Sequence, residues 1–202
     1  NLLRISRNPN DTTAALAIGP CLFKLGYIQN PLQKIRSSPD AVEFIREHRL
    51  VNKIELQELK KCPSGSLGYV YANHMLSNNL DPEFYGTITI INDESYVLMR
   101  LRQTHDLWHV LTGFSTSVQD ELGLQAFMAA QTSSPLPSFL IGGSIVRAAF
   151  TNQPLALTII DRVCTGWRTG KESKPIFALD WDAHWNTPLD TLREMYGIKP
   201  VQ

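Results

Sequence analysis

Apolar residues in this chain fall into stretches of helical length, separated by clusters of Gly, Pro, Ser and Asp that mark helix ends. Asp11 or Thr12 opens a first helix, Ala14 to Lys24, rich in Ala and Leu. Ser38-Pro39-Asp40 supplies an N-cap, a proline at the first helical position and an acid in the first turn, and the helix it starts runs to about Arg49. Pro63, Gly65 and Gly68 break the chain around the start of another helix, Leu67 to Ser77. Thr87 to Ile91 is the one β-branched run; with no sheet to join, it is expected to be an extended linker. Asn92 or Asp93 then caps a long helix through Leu111 that stops at Gly113. Ser117-x-x-Asp120 resembles a capping box and opens Val118 to Gln131. After a Ser-Pro loop at 133–137, helices are expected at Ser138 to Phe150 and Leu155 to Arg168. Thr187-Pro188-Leu189-Asp190 starts a last helix, stopped by Gly197. The pattern predicts a single all-α, bundle-like domain over 1–202, with 1–30 as a peripheral N-terminal helix.

Composition narrows the function. Lys plus Arg and Asp plus Glu both number 19, so the chain has no basic excess for phosphate neutralisation, and nucleic acid is not an expected partner. Cys21, Cys62 and Cys164 are scattered without a Cys-x-x-Cys unit, which fits a reducing compartment and no disulfide framework. The longest apolar run, Phe139 to Phe150, is too short to cross a bilayer and contains Arg147. The chain reads as soluble, with peripheral membrane contact compatible. Its first residue is Asn, so a removed targeting segment is also compatible.

One constellation carries chemistry. On a helix His105 and His109 lie about 40° apart, and Asp106 lies about 100° from the first and about 60° from the second. Imidazole and carboxylate are ligands for zinc and other divalent first-row ions. Glu121 follows His109 by twelve residues, which in one straight helix is about 18 Å farther along the axis. The break at Gly113 and the Ser115-Thr116-Ser117 stretch let the chain turn back, so that Glu121, in the first turn of the returning helix, faces the pair. The expected metal ligands are His105, Asp106, His109 and Glu121. Packing histidines, an Asp106–Arg102 pair and a helix-start acid are the structural alternatives. A His-Asp hydrolase, with His74 as a further ligand, is a third class.

His105-Asp106-Leu107-Trp108-His109, eleven residues and Glu121 resemble the His-Asp-x-x-His-x11-Glu motif of the fourth protein in the coenzyme Q (ubiquinone) biosynthesis series. Tyr96, Arg102, Gly113 and Thr116 around the motif, the Gly65 to Leu80 region, and Asp182 to Ile198 with Trp185, Leu192, Arg193 and Glu194 extend the resemblance. It implies an all-helical protein with a divalent metal, usually zinc, beside an apolar tunnel for a polyprenyl tail. It implies work on polyprenyl hydroxybenzoate intermediates, either as a scaffold gathering other biosynthetic proteins or as an enzyme removing the ring carboxyl group. Replacing that carboxyl by hydroxyl requires a redox-capable ion or direct attack of oxygen on the ring, since zinc has no redox chemistry. It also implies a peripheral place at the inner or cytoplasmic membrane, on the mitochondrial matrix face in a eukaryote; a homodimer is compatible.

Candidate roles follow. Arg102, three residues before His105, is placed to hold a substrate carboxylate or a developing anion. Asp106 or Glu121 is the candidate proton carrier. Gly142 and Ala148, small residues among large apolar ones, are candidate lining for a lipid groove, with plain core packing as the alternative.

Overall fold

The structure is a computed structural model and describes residues 26–84 and 86–201. The helix expected over Ala14 to Lys24 lies outside the described residues, as does most of the segment 1–30. Among the described residues there are ten α-helices and one 3-10 turn, with no strand beyond an isolated bridge between Ser66 and Pro188. The protein is all-α.

In chain order the helices are α1 (Gln29–Ile35), α2 (Pro39–Glu47), α3 (Leu56–Leu59), α4 (Leu67–Ser77), α5 (Asp93–Gln103), α6 (His105–Thr112), α7 (Val118–Thr132), α8 (Leu136–Thr151) and α9 (Gln153–Glu172). The 3-10 turn η1 (Asp182–His184) and α10 (Leu189–Tyr196) follow. They fall into two compact units, one with residues 26–34 and 114–173 and one with residues 35–84, 86–113 and 174–201.

The first unit is built on α7, α8 and α9. Helices α7 and α9 approach closely because glycines line their seam. A Cβ on Gly166 would overlap the Gly123 carbonyl, and one on Gly170 would stand 2.8 Å from both the Ala130 Cβ and the Phe127 carbonyl oxygen. Leu122, Ala148, Ala156 and Ile159 form the buried cluster beside this seam, with Val118, Leu140, Ile145 and Val163 packed on it. Asp120 and Arg162 tie α7 to α9 by an ion pair of 2.9 Å.

The second unit packs α4 on α3 and α6, α5 on α2 and α6, and α10 on α6. Its largest polar group is inside. Arg100 is 2% exposed and donates to the backbone carbonyls of Phe177 (2.7 Å), Leu179 (2.8 Å) and Arg49 (3.0 Å). Its guanidinium also lies over the Phe44 ring at 4.8 Å. Gln103 adds a two-way bond to the Val51 backbone, donating to its carbonyl and accepting from its N–H. These side chains fasten segments without regular structure of their own onto α5.

Local differences from the sequence reading have local causes. The expected long helix to Leu111 is two helices, because Thr104 leaves the helical path at φ −95°, ψ 0°. Its hydroxyl donates to the Arg100 carbonyl four residues back, the kind of bond that bends helices. Asn92 does form a capping box, with Ser95. Ser117 does not: Asp120 turns back to accept from the Ser115 amide and hydroxyl instead. Helix α10 starts at Leu189 because the residues before it are held by α4 and the turn leading into it. Leu67 N–H donates to the Thr187 carbonyl, and Leu189 N–H to the Gly65 carbonyl. Helices α1 and α3, seven and four residues long, are too short to announce themselves in the sequence pattern.

Candidate metal centre

Helix α6 carries two histidines on one face. The His105 and His109 rings meet edge to face, 4.9 Å between centroids, as the four-residue spacing requires. His109 is buried and His105 half-buried. The far end of the helix is held firmly. Gly113 closes it at φ +82°, and a Cβ there would also stand 3.0 Å from the Val201 carbonyl oxygen. The last carbonyls of a helix have no partner within it. Here Arg193 donates to Leu111 (3.0 Å) and Val110 (3.0 Å), and the Val201 amide donates to Thr112 (2.9 Å). Arg193 is itself steadied by Asp190.

Past the Gly113 turn the chain enters α7, whose first turn contains Glu121, a half-buried carboxylate that accepts from Gln125 at 3.1 Å. Along this stretch His105, His109 and Glu121 each offer one ligand atom, and the three atoms lie within 4.8 Å of one another. Two imidazoles and one carboxylate are the donor set of a catalytic zinc site, which keeps a position open for water or substrate. The donors present therefore fit a divalent ion.

Asp106 stands outside that group of three. Its charge is felt by Tyr71 and His74 on α4. Tyr71 is fully buried, and burial first, then Asp106, pushes its hydroxyl well above the usual range. His74 stacks on His109 at 5.9 Å between centroids and 24° between planes. Burial holds the His74 imidazole below its ordinary pKa, His109 adds to this, and Asp106 opposes it.

Arg102 is half-buried in the last turn of α5, while its neighbour Arg100 is the buried one. Ala148 lies in the core beside α7 and α9, whereas Gly142 is exposed with open space where a Cβ would stand. The structure does not bring these two to a common environment. Arg193 was named only through the resemblance, and its capping of α6 carries no signal in spacing or composition. His74 had only the signal of being a histidine.

An all-α chain with two helix-borne histidines and a returning glutamate defines a helical protein with a candidate divalent-metal centre. A family model described as "Coenzyme Q (ubiquinone) biosynthesis protein Coq4" matches residues 7–202, and the chain belongs to that family. The mitochondrial ubiquinone biosynthesis protein COQ4 homolog of Rattus norvegicus is 25% identical over 195 residues, 95% of this chain and 72% of that protein. The mitochondrial ubiquinone biosynthesis protein COQ4 of Phaeosphaeria nodorum is 30% identical over 198 residues, 95% of this chain and 67% of its own length. A crystal structure of a candidate ubiquinone biosynthesis protein from Nostoc punctiforme superimposes with a TM-score of 0.87 at 26% identity, over 97% of this chain and 94% of that one. No helix among the described residues is long and apolar enough to cross a membrane.

Proposed function

We propose that this chain binds a divalent ion, zinc, through His105, His109 and Glu121, and removes the ring carboxyl group from polyprenyl hydroxybenzoate intermediates of ubiquinone synthesis. The observation that carries the reading is the convergence of two imidazoles and one carboxylate in a member of this family. When bound, the ion supplies Lewis-acid polarisation of a substrate oxygen. The chain's own residues do the rest. Arg102 holds the negative charge of the carboxylate and, as carbon dioxide leaves, of the electron pair left on the ring. Asp106 delivers the proton that the ring carbon takes up in place of the carboxyl. The polyprenyl tail lies on the apolar surface of α8, where Phe139, Val146 and Phe150 are exposed beside Gly142. The family reading adds other quinone-biosynthesis proteins as partners and the matrix face of the mitochondrial inner membrane as the place, in keeping with relatives named mitochondrial.

A three-ligand donor set favours the enzyme over a structural ion, whose sites are usually closed by four protein ligands. The test is metal content and carbon dioxide release on purified protein. We expect one ion per chain in the wild type, lost in His109→Ala and in Glu121→Ala, with turnover lost alongside. Wild-type protein free of metal without chelators would sink the site. Metal-loaded protein that binds the substrate and releases no carbon dioxide would convert the reading to a lipid-binding scaffold.

A further inference from the structure

Helix α4 carries, beside one histidine of the candidate metal centre, a buried polar atom that no group among the described residues satisfies. The Nε2 of His74, on a side chain that is otherwise half-buried, is itself buried and has no hydrogen-bond partner among the described residues. Its ring is stacked on His109, and it feels the charges of Asp106 and His105. All these groups lie in one compact unit, on helices that pack together. Shape alone does not explain a histidine here. A Phe or Leu fills such a place without burying an unpaired nitrogen, and buried polar groups are almost always paired. About one turn away on the same side of α4, Tyr71 is buried with its ring 6.0 Å from that of Trp185.

We propose that His74 is a substrate-binding residue, its Nε2 forming a hydrogen bond with a ring oxygen of the polyprenyl hydroxybenzoate held at the metal centre. This rests on the functional reading above and deepens it: the site recognises the oxygenated ring through α4, independently of the tail and of the ion. An imidazole nitrogen can donate or accept, so either the phenol or the carboxylate oxygen satisfies it.

The test compares wild type, His74→Phe and His74→Gln, each loaded with zinc and checked for helicity by circular dichroism. Each is titrated with zinc alone, with a polyprenyl hydroxybenzoate and with a polyprenol of the same tail length. His74→Phe should hold zinc within about twofold of wild type and bind the polyprenol equally well. It should bind the hydroxybenzoate about tenfold more weakly, the loss of one well-placed hydrogen bond. His74→Gln, which restores a polar group at similar reach, should regain most of that loss. Equal hydroxybenzoate affinity in wild type and His74→Phe overturns the proposal and leaves the functional reading standing. Parallel loss of polyprenol and hydroxybenzoate also overturns it, because His74 is then only packing. Loss of zinc from a folded His74→Phe overturns it in favour of support for the ion. Wild type that binds polyprenol but no hydroxybenzoate overturns the functional reading along with it. If His74→Phe does not fold, His74→Leu against His74→Gln carries the same comparison.

Discussion

Gly166 and Gly123 meet so closely across the α7–α9 seam that a Cβ on Gly166 would overlap the Gly123 carbonyl and stand 2.8 Å from its carbon. The atoms it would meet are backbone, which cannot rotate out of the way. Gly166→Ala must therefore push the helices apart, at a cost of about 3 kcal/mol, the upper end of core overpacking. Gly142→Ala, mid-helix on α8 with nothing within 4 Å, should instead gain about 0.5–1 kcal/mol from lowered chain entropy and better helix propensity. Urea unfolding of the two variants should shift in opposite directions. A neutral Gly166→Ala would mean that the seam is not close-packed.

Arg100 should be worth more to stability than any surface charge. Removing it in Arg100→Met keeps much of the apolar stem but leaves the carbonyls of Phe177 and Leu179 without their guanidinium donor, while that of Arg49 keeps the Tyr96 hydroxyl. Buried acceptors left unpaired cost about 1–3 kcal/mol each before relaxation, so a loss of about 3–5 kcal/mol is expected. Arg100→Lys should recover only part, because a single ammonium cannot serve three carbonyls in the fork geometry of a guanidinium. Thermal unfolding of both variants, with Arg46→Ala on the exposed face of α2 as the near-neutral control, checks the ranking.

Tyr96 predicts how the protein fails in alkali. Its hydroxyl donates to the Arg49 carbonyl at 2.7 Å, and burial pushes its pKa from 10.0 to about 12. Below pH 10 the tyrosine is protonated in both the folded and the unfolded chain, so its contribution is fully present. Above that the unfolded chain releases the proton first, and stability is lost as pH rises through the folded value near 12. The loss approaches about 1.4 kcal/mol per pH unit for this one proton. Tyr71 is shifted in the same direction, so it adds to the slope. Tyr96→Phe should be less stable than wild type at pH 8, and the gap should narrow between pH 10 and pH 12. A gap that stays constant across that range would show that Tyr96 titrates alike in both states.

The centre was legible where it depends on one helix and one turn. The His105–His109 spacing fixes a shared face, and Gly113 in a left-handed conformation is the kind of stop that sequence announces. What tertiary packing decides was not legible. Asp106 lies only about 60° from His109 around the helix, yet the ligand atoms that come within 4.8 Å of one another are those of His105, His109 and Glu121, a matter of side-chain placement that helix rotation does not settle. Arg100 and Arg102 look equivalent on paper. The structure buries Arg100 because carbonyls from two distant irregular segments surround it, and such acceptors exist at every residue and leave no signature. The glycine seam was invisible for a related reason. Gly123 and Gly166 are far apart in sequence, and the adjacent pair Gly142-Gly143, which draws the eye, faces open space. The fold class was legible throughout, since it rests on caps and breaks. The expected helix that the structure divides, at Thr104, is broken by a side-chain bond to the backbone, and α9 runs on to Glu172, past its expected end at Arg168.

Arg193 should govern the metal site from its far end. It donates from Nε to the Leu111 carbonyl and from Nη2 to the Val110 carbonyl, two of the last acceptors of the helix that presents His105 and His109. A cation there also opposes the negative end of the helix dipole. Arg193→Ala frees both carbonyls and lets the last turn of α6 fray, which costs about 1–2 kcal/mol of stability. Because His109 lies in that half of the helix, looser α6 should also bind a divalent ion more weakly, by about tenfold if the same energy is felt at the site. Arg193→Lys should restore the charge and one hydrogen bond, and so recover about half of each effect. Asp190→Ala separates charge from position: it removes the anion that steadies Arg193 at 2.9 Å while leaving both carbonyl contacts possible, and should cost less than 1 kcal/mol because Asp190 is exposed. Zinc titration and thermal unfolding on the same preparations give the two readouts. If Arg193→Ala lowers stability and leaves zinc affinity untouched, α6 is rigid enough without its cap and the two ends of the helix are independent.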